Sequence, residues 1–224
     1  MFSNKIVDKN DIQKITDYSV IGQIIHDNHK TNTVVNEFPN SLVAESFRSL
    51  RTNFQFISNE EKKNIILITS IITGEGKSYT SLNLATVFAQ NQKKVILVDF
   101  DLRKSKIKDY ININTDNGLS KYLSNNSSID DIIQKSEIEN VDIITAGIIP
   151  PNPTELISSS KTEELFARLK KEYDYILIDS PPVGVVSDAL LLFKYSDMNL
   201  FILRYNFTPK NLLASIMDDL DKRK

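Results

Sequence analysis

The sequence predicts an α/β fold, in which an open and mostly parallel sheet carries helices on both faces. Continuous apolar runs alternate along the chain with segments of helical periodicity, and this alternation is typical of parallel strands joined by helices. The runs are apolar throughout, as in strands that are buried on both faces of a sheet. Ligands bind such sheets at the carboxyl ends of the strands, so we expect the functional site at that edge.

The size and composition of the chain fit one domain with a polar leader. The 224 residues include 41% hydrophobic and 25% charged residues, which is enough to bury a sizeable core. We assign residues 1–39 to a polar leader or linker with little structure, and residues 40–224 to the domain. No apolar run approaches the roughly 20 residues that span a bilayer, so we expect the chain itself to be soluble.

Charge and cysteine content exclude several classes of function. The formal net charge of -2 provides no overall field that would attract nucleic acid, so nucleic acid is not an expected partner. The sequence contains no cysteine, which excludes disulfides, thiol catalysis and cysteine-based zinc sites. Its two histidines are too few for a histidine-rich metal site.

The first element of the domain is an amphipathic helix over residues 41–57. Its apolar positions recur at helical spacing, and a second stripe of charged residues recurs every three residues. The charged residues are Glu45, Arg48 and Arg51. By itself, a charged helix edge usually means solvated surface.

Five apolar runs follow, and each predicts a parallel strand. They occupy residues 64–70, 94–100, 141–147, 173–180 and 198–205. Helical patterns lie between them, and the clearest cover residues 77–92, 162–173 and 188–196. The Asn- and Ser-rich connection at 112–131 contains a short helix, and the proline-rich stretch at 147–159 predicts a stiff loop with a short helix.

The strongest functional signal is the segment SIITGEGKS at residues 70–78, which follows the first predicted strand directly and opens a predicted helix. Phosphate binding needs backbone N–H groups that converge on one point, and Gly74 and Gly76 allow the tight turn that this requires. The helix adds the positive end of its dipole. Lys77 can reach the β- and γ-phosphates as a point charge, and the Ser78 hydroxyl can bind Mg²⁺.

We therefore predict a phosphate-binding loop, or P-loop, for ATP and Mg²⁺. One position departs from the general motif, since Ile71 stands where the pattern has glycine, five residues before Gly76. The predicted nucleotide-binding residues are Thr73, Gly74, Glu75, Gly76, Lys77, Ser78 and Tyr79.

Acidic residues end two further predicted strands. Asp99 and Asp101 lie two positions apart, so they share one face at the carboxyl edge of the sheet, and Asp179 ends a later strand. Such carboxylates can hold the metal directly or through water, and one can accept the proton of an attacking hydroxyl. Both Asp99 and Asp101 are candidates for that base. We predict metal contacts from Ser78, Asp99, Asp101 and Asp179, and catalytic roles for Lys77, Asp99, Asp101 and Asp179.

With these motifs the chain resembles the bacterial tyrosine kinases of capsule and exopolysaccharide production, which are P-loop NTPases of the deviant Walker type related to MinD and ParA. The resemblance covers residues 32 to 210. It rests on the loop GEGKS and on AESFRSLRTNF at 44–54, VDFDLRK at 98–104, TAGIIPPNPTELISS at 145–159 and IDSPPVGVVSDA at 178–189. The loop occurs in many NTPases, whereas the Asp-x-Asp-x-Arg and PPNP-x-EL motifs are far more restrictive.

The resemblance implies a protein-tyrosine kinase that transfers the γ-phosphate of ATP to tyrosine on a neighbouring copy and regulates polysaccharide polymerisation and export. It implies that Glu45, Arg48 and Arg51 form the family's Glu-x-x-Arg-x-x-Arg self-association motif in a ring-like homo-oligomer. Further expected partners are a transmembrane chain-length regulator, fused or separate, and a tyrosine phosphatase. The expected location is the cytoplasmic face of the bacterial inner membrane.

Two features depart from the family pattern. Many members continue into another strand and a tyrosine-rich tail, whereas this sequence ends at MDDLDKRK and its last tyrosine, Tyr205, falls in a predicted strand. We therefore expect the C-terminal end of the domain to be incomplete. SKIK at 105–108 stands where the family usually has an Arg-Pro pair, and we expect it to alter the local loop shape.

Two other functions are compatible with the sequence. One is an ATP-driven switch like the partitioning and cell-division-placement ATPases. Their loops carry a lysine near the start, where this chain has Ile71 or Ile72, and this difference argues against a switch. The other is a non-catalytic nucleotide-binding regulator of polysaccharide assembly, with which the missing tyrosine tail agrees.

Overall fold

The computed structural model describes residues 4–26, 28–57, 64–113 and 115–223. Parts of the predicted leader, connection and domain, at residues 1–3, 27, 58–63, 114 and 224, lie outside the described residues. Within the described residues the chain forms the predicted α/β fold, with a sheet of six strands and helices on both of its faces.

The strands are β1 Asn64–Ser70, β2 Val95–Asp99, β3 Gln134–Lys135, β4 Val141–Ile144, β5 Tyr175–Asp179 and β6 Met198–Ile202. Their order across the sheet is β3-β4-β2-β5-β1-β6. All neighbouring strands are parallel except β3, which pairs antiparallel with β4. The five predicted parallel strands are therefore confirmed. The sequence did not predict β3, because two residues are too few to show a period.

The described helices are α1 Lys9–Gln13, α2 Val34–Glu37, α3 Leu42–Ile57, α4 Lys77–Ala89, α5 Ile107–Tyr110, α6 Leu119–Leu123, α7 Pro153–Ile157, α8 Ser160–Glu172, α9 Asp188–Leu192 and α10 Lys210–Asp221. A 3-10 turn at Phe193–Tyr195 extends α9. The amphipathic helix predicted from 41 is α3, and the three helices predicted between strands are α4, α8 and α9. The short helices expected in the two long connections are α6 and α7.

Each face of the sheet has its own apolar layer. On one face, Phe88 of α4 stacks on Tyr175 of β5 with 4.2 Å between ring centres, and it meets Phe54 of α3 edge-on at 5.5 Å. On the other face, Phe166 of α8 stacks on Phe100 at the end of β2 with 5.7 Å between ring centres. Because both faces are covered, β2 and β5 are buried along their whole length, which explains their continuous apolar sequences.

The last strand is shorter than predicted, because β6 lies at an edge of the sheet and the chain turns after it. The N–H of Phe207 donates to the carbonyl of Arg204 at 3.1 Å, which closes a turn. Tyr205 therefore lies in this turn with 70% of its surface exposed, and the prediction that it belongs to a strand was wrong.

The predicted leader contacts the domain at both of its ends. Val34 and Val35 of α2 are fully buried, and the N–H of Val35 donates to Asn83 Oδ1 of α4 at 3.0 Å. Near the other end, Ile6 is buried and its N–H donates to the carbonyl of Thr208 at 2.9 Å. The leader therefore has more structure than its polar composition indicated, because the few apolar residues it contains pack against the domain.

Candidate functional site

The P-loop lies at the carboxyl edge of the sheet, between β1 and α4. Gly74 and Gly76 have φ angles of 93° and 92°, a conformation that favours glycine. A Cβ atom added to Gly76 would meet nothing within 4 Å, so its backbone angle, and not crowding, requires glycine. α4 begins at Lys77, and the first N–H groups of a helix have no partner within it. The loop and the helix start therefore form a suitable site for phosphate.

Glu75 supports the P-loop from the protein side. Its side chain is buried, and Oε2 accepts hydrogen bonds from the N–H groups of Ile71 at 2.7 Å and Ile72 at 2.8 Å. Its other oxygen, Oε1, is hydrogen-bonded to the Thr208 hydroxyl. Burial raises the pKa of Glu75, although its hydrogen bonds act in the opposite direction. A contact between Glu75 and nucleotide would therefore come from its main chain.

Two other predicted nucleotide-binding residues lie at the ends of the loop. Thr73 is exposed at the start of the turn. Tyr79 lies in the first turn of α4, and its ring centre is 6.0 Å from that of Phe47 in α3. The Tyr79 ring thus packs against α3, so the first turn of α4 is fixed to the helix that precedes β1.

Lys77, Ser78 and Asp179 meet at the start of α4. Lys77 Nζ lies 3.2 Å from Asp179 Oδ2 and 3.5 Å from Asp101 Oδ2. The Ser78 hydroxyl donates to Asp179 Oδ2 at 2.7 Å, and the Ser81 hydroxyl donates to Asp179 Oδ1 at 2.8 Å. The carboxylate at the tip of β5 is therefore tied to the P-loop lysine and to two hydroxyls of α4.

Asp99 lies beside Asp179, since the two are register partners in β2 and β5. Its Oδ1 accepts from the N–H of Asp101 at 3.0 Å, and its Oδ2 accepts from the Ser105 hydroxyl at 2.5 Å. Asp101 follows the end of β2, and its Oδ1 accepts from the N–H of Lys104 at 3.0 Å. Both carboxylates thus hold the loop that follows β2 in a compact form.

The electrostatics of the site reflect three acids close to one lysine. Burial, and then the charge of Asp179, raise the pKa of Asp99 to about 8. Burial alone would lower the pKa of Lys77, but the carboxylates of Asp179, Asp101 and Asp99 outweigh it, so this pKa is raised. Lys77 is therefore a cation at neutral pH. Three carboxyl groups surround this one lysine, and this arrangement suits the binding of a divalent cation.

The donor set fits Mg²⁺ held together with phosphate. Mg²⁺ takes oxygen ligands and is usually bound through one or two carboxylates plus substrate phosphates and water. The hydroxyl of Ser78 and the carboxylate of Asp179 are in contact. Asp101 faces Lys77, which also contacts Asp179. Among the described residues, no group of three or more His, Cys, Asp or Glu side chains forms a metal site by itself.

The charged edge of α3 divides into an exposed part and a packed part. Arg48 pairs with Glu45 at 3.0 Å, and the Glu45 side chain is 64% exposed. Arg51 donates instead to the carbonyl of Val87 at 2.6 Å and to Asn91 Oδ1 at 3.2 Å. Because Val87 lies in the last turn of α4, Arg51 satisfies a helix-terminal carbonyl and contributes to the packing of α3 on α4.

The sequence did not indicate several side chains that support the site. Ser81 lies one helical turn after Lys77, so helical spacing could have identified it as a neighbour of Asp179. Arg103 belongs to a motif that the sequence shows, but its partner Asp188 lies 85 positions away and makes contacts of 2.7 Å and 3.2 Å with it. Spacing along the chain carries no information about such a pair.

The fold and this edge define a protein of the P-loop NTPase type. A family model described as an AAA domain matches residues 63–202. The solved structure of the septum site-determining protein MinD of Pyrococcus horikoshii, complexed with Mg-ADP, has a TM-score of 0.58 and 24% identity. The match covers 71% of this chain and 65% of the MinD chain. At 24% identity this similarity shows only that the two proteins share a fold.

Closer relatives identify the family. The chain is 38% identical over 189 residues to tyrosine-protein kinase YwqD of Bacillus subtilis, covering 84% of this chain and 80% of that protein. The crystal structure of the chimerical protein CapA2B2 matches with a TM-score of 0.88 and 32% identity, over 97% of this chain and 95% of that one. The chain therefore belongs to the bacterial tyrosine-protein kinases, and the resemblance inferred from its motifs is confirmed.

Some relatives are much longer than this chain. It spans 25% of the length of two other curated tyrosine-protein kinases that it matches. In the part of the chain that the structure describes, no helix combines the length and apolar character needed to cross a membrane.

Proposed function

We propose that this chain is a protein-tyrosine kinase that binds ATP and Mg²⁺ at the P-loop and transfers the γ-phosphate to a tyrosine of a neighbouring copy. The observation that carries the proposal is the contact of Lys77 and Ser78 with Asp179 at the tip of β5. Phosphoryl transfer depends mainly on positioning and on stabilisation of charge. This contact brings together the Lys77 cation, the Ser78 hydroxyl and the Asp179 carboxylate at the point where the P-loop leads into α4.

Each residue of the proposed site has a distinct task. Lys77 neutralises charge on the β- and γ-phosphates, and the N–H groups from Thr73 to Tyr79 bind phosphate oxygens. Ser78, Asp99, Asp101 and Asp179 hold Mg²⁺, which supplies charge neutralisation at the phosphates when it is bound. Asp99 or Asp101 accepts the proton of the attacking tyrosine hydroxyl.

We also propose that the charged edge of α3 joins copies of the chain into a ring-like homo-oligomer. The 64% exposure of the Glu45 side chain supports this proposal, because it is available to a second copy together with the partly exposed Arg48. Membership of the family supports further proposals: action on capsular or exopolysaccharide assembly, a transmembrane chain-length regulator and a tyrosine phosphatase as partners, and work at the cytoplasmic face of the inner membrane.

Transfer of labelled phosphate tests the proposed reaction. Purified protein is incubated with γ-labelled ATP, Mg²⁺ and either a second copy or a synthetic tyrosine polymer, and phosphotyrosine is measured. We expect phosphotyrosine from the wild type and from Lys93→Met, an exposed-lysine control, and its loss in Lys77→Met and Asp179→Asn. Release of inorganic phosphate without phosphotyrosine would instead indicate an ATP-driven switch. ADP binding with neither product would indicate a non-catalytic regulator.

A further inference from the structure

Arg103 joins three separate motifs at one point beside the site. Its Nε donates to Asp188 Oδ2 at 2.7 Å and its Nη2 to Asp188 Oδ1 at 3.2 Å, which is a forked ion pair. The same Nη2 donates to the Thr154 hydroxyl at 2.9 Å, and this hydroxyl donates to Asp188 Oδ1 at 2.8 Å. Arg103 follows β2, Thr154 lies in α7 and Asp188 begins α9. We call these three side chains the Arg103 network.

The Arg103 network holds the loop that follows β2, and this loop lies next to Asp99 and contains Asp101. Asp101 lies two positions before Arg103, and the N–H of Lys104 donates to Asp101 Oδ1. The Ser105 hydroxyl donates to Asp99 Oδ2. The two residues that follow Arg103 are therefore bonded to Asp101 and Asp99, so the anchored guanidinium links both carboxylates to α7 and α9.

The physical properties of the pair favour a rigid connection. Asp188 has a side chain that is only 1% exposed, and a buried carboxylate is strongly unfavourable without a partner. A forked pair between guanidinium and carboxylate is both stronger and more directional than a neutral hydrogen bond. The loop therefore has one favoured arrangement, in which Arg103 faces Asp188.

We infer that the Arg103 network is a positioning device that holds Asp99 and Asp101 in the arrangement needed for Mg²⁺ and for proton acceptance. This inference rests on the proposed function. Arg103 acts through Asp99 and Asp101, since its three hydrogen bonds among the described residues go to Asp188 and Thr154 and none to the P-loop.

The test compares four variants with the wild type. Arg103→Ala removes the network, Arg103→Lys keeps the charge without the fork, and Thr154→Val removes one hydroxyl while the forked pair remains. Arg168→Ala is the matched control, because the Arg168 side chain is 45% exposed against 41% for Arg103 and also forms ion pairs, in its case with Glu172 and Asp130. The readouts are kcat for tyrosine phosphorylation, the half-saturating Mg²⁺ concentration, and ADP affinity without Mg²⁺.

We expect Arg103→Ala to lower kcat by about 10- to 100-fold, as is usual when a side chain that orients metal-binding groups is removed. The half-saturating Mg²⁺ concentration should rise, while ADP affinity without Mg²⁺ should match that of the wild type, because the P-loop is not altered. Arg103→Lys should lie between Arg103→Ala and the wild type. Thr154→Val, which weakens the network but keeps the forked pair, should lower kcat less than Arg103→Lys does. Arg168→Ala should resemble the wild type.

Two results would overturn the inference. One is a kcat of Arg103→Ala equal to that of Arg168→Ala; the other is a loss of Mg²⁺-free ADP affinity as large as the loss of kcat, which would mean that the whole site has collapsed. If Arg103→Ala does not fold, Arg103→Lys provides the test. A half-saturating Mg²⁺ concentration in Arg103→Lys equal to that of the wild type would then contradict the inference. If the wild type transfers no phosphate, the proposed function fails, and Mg²⁺ titration of the ADP complex in Arg103→Lys still tests the network.

Discussion

At the scale of single residues, Asp99 combines complete burial with a position at the tip of β2. Burial and the charge of Asp179 raise its pKa from 3.8 to about 8 in the folded protein. The folded state therefore keeps a proton that the unfolded chain releases at much lower pH. In the absence of metal, the contribution of this group to stability must fall as the pH rises from 3.8 to about 8.

We predict that Asp99→Asn flattens this pH dependence, because an amide has no proton to lose in that range. Denaturant unfolding in a chelating buffer, from about pH 5 to about pH 8, measures the slope of stability against pH, which one such group sets at no more than about 1.4 kcal/mol per unit. Asp116→Asn, at an exposed position, serves as the control. A slope that is the same in Asp99→Asn and in the wild type would show that Asp99 is ionised in the metal-free protein.

Glu75 links the start of the P-loop to the turn after β6. Glu75→Ala would leave the buried N–H of Ile71 without its acceptor, which costs about 1–3 kcal/mol for a buried donor. We predict that Glu75→Ala lowers the free energy of unfolding by this amount and weakens ADP binding. Glu75→Gln keeps an acceptor oxygen and should be milder in both respects. Equal effects of the two substitutions in denaturant unfolding and calorimetry would contradict this role.

The sequence identified residues that lie close together where the chemistry of a residue and its position at a strand end coincide. The P-loop motif predicted Lys77 and Ser78, and the position of an acid at a strand end predicted Asp179. The structure brings these three residues into contact. The bond between the Glu75 side chain and Thr208 was not predictable, because Thr208 lies 133 positions away. Motif spacing describes the backbone of a loop, whereas the direction of a side chain depends on tertiary packing.

At the scale of elements, the charged stripe of α3 has an exposed residue, Glu45, and a residue packed against α4, Arg51. Arg48→Ala removes a partly exposed charge from the proposed association surface, so we predict that it weakens self-association. It also removes a donor to the carbonyl of Pro39 at 2.5 Å, but this bond is exposed to solvent, so the melting temperature should fall less than in Arg51→Ala. Arg51→Ala also removes the donor to the carbonyl of Val87 in α4, and should lower stability by about 1–3 kcal/mol as a lost bond to a charged group.

Sedimentation and thermal unfolding of the two variants separate these effects. Arg168→Ala, an exposed arginine on α8, is the control for loss of a surface charge. If Arg48→Ala sediments like the wild type, the proposed association surface is contradicted. A melting temperature of Arg51→Ala equal to that of Arg168→Ala would show that the bond to α4 adds no stability.

Element prediction was accurate where the period is strong. The continuous runs of β1, β2 and β5 and the helical repeat of α3 gave both type and position, whereas the run that contains β4 was predicted three residues too long. The end of β6 was missed, because its apolar residues continue past the point where the chain turns. An edge strand is less buried, so its sequence contains a weaker signal for where pairing stops.

At the scale of the whole molecule, the leader and the domain share a small core. Ile6 packs in one cluster with Ile71 at the start of the P-loop and with Leu213 and Met217 of α10. An ion pair of 2.6 Å between Lys210 and Asp11 lies beside it. The polar composition of residues 1–39 concealed this contact, since a single buried isoleucine gives no periodic pattern. These contacts lead us to expect that leader and domain unfold together.

We predict that Ile6→Ala lowers the free energy of unfolding of the entire chain by about 2–5 kcal/mol, the usual effect of truncating a buried isoleucine. Ile25→Ala, at a leader position that is 42% exposed, should have a much smaller effect. Far-UV circular dichroism and tyrosine fluorescence should report the same transition in each variant, since cooperative unfolding gives coincident probes. An early, separate transition, or equal stability of the two variants, would mean that the leader is an independent attachment. A shared transition would instead make the packing of the leader one determinant of P-loop stability, because Ile6 and Ile71 belong to the same cluster.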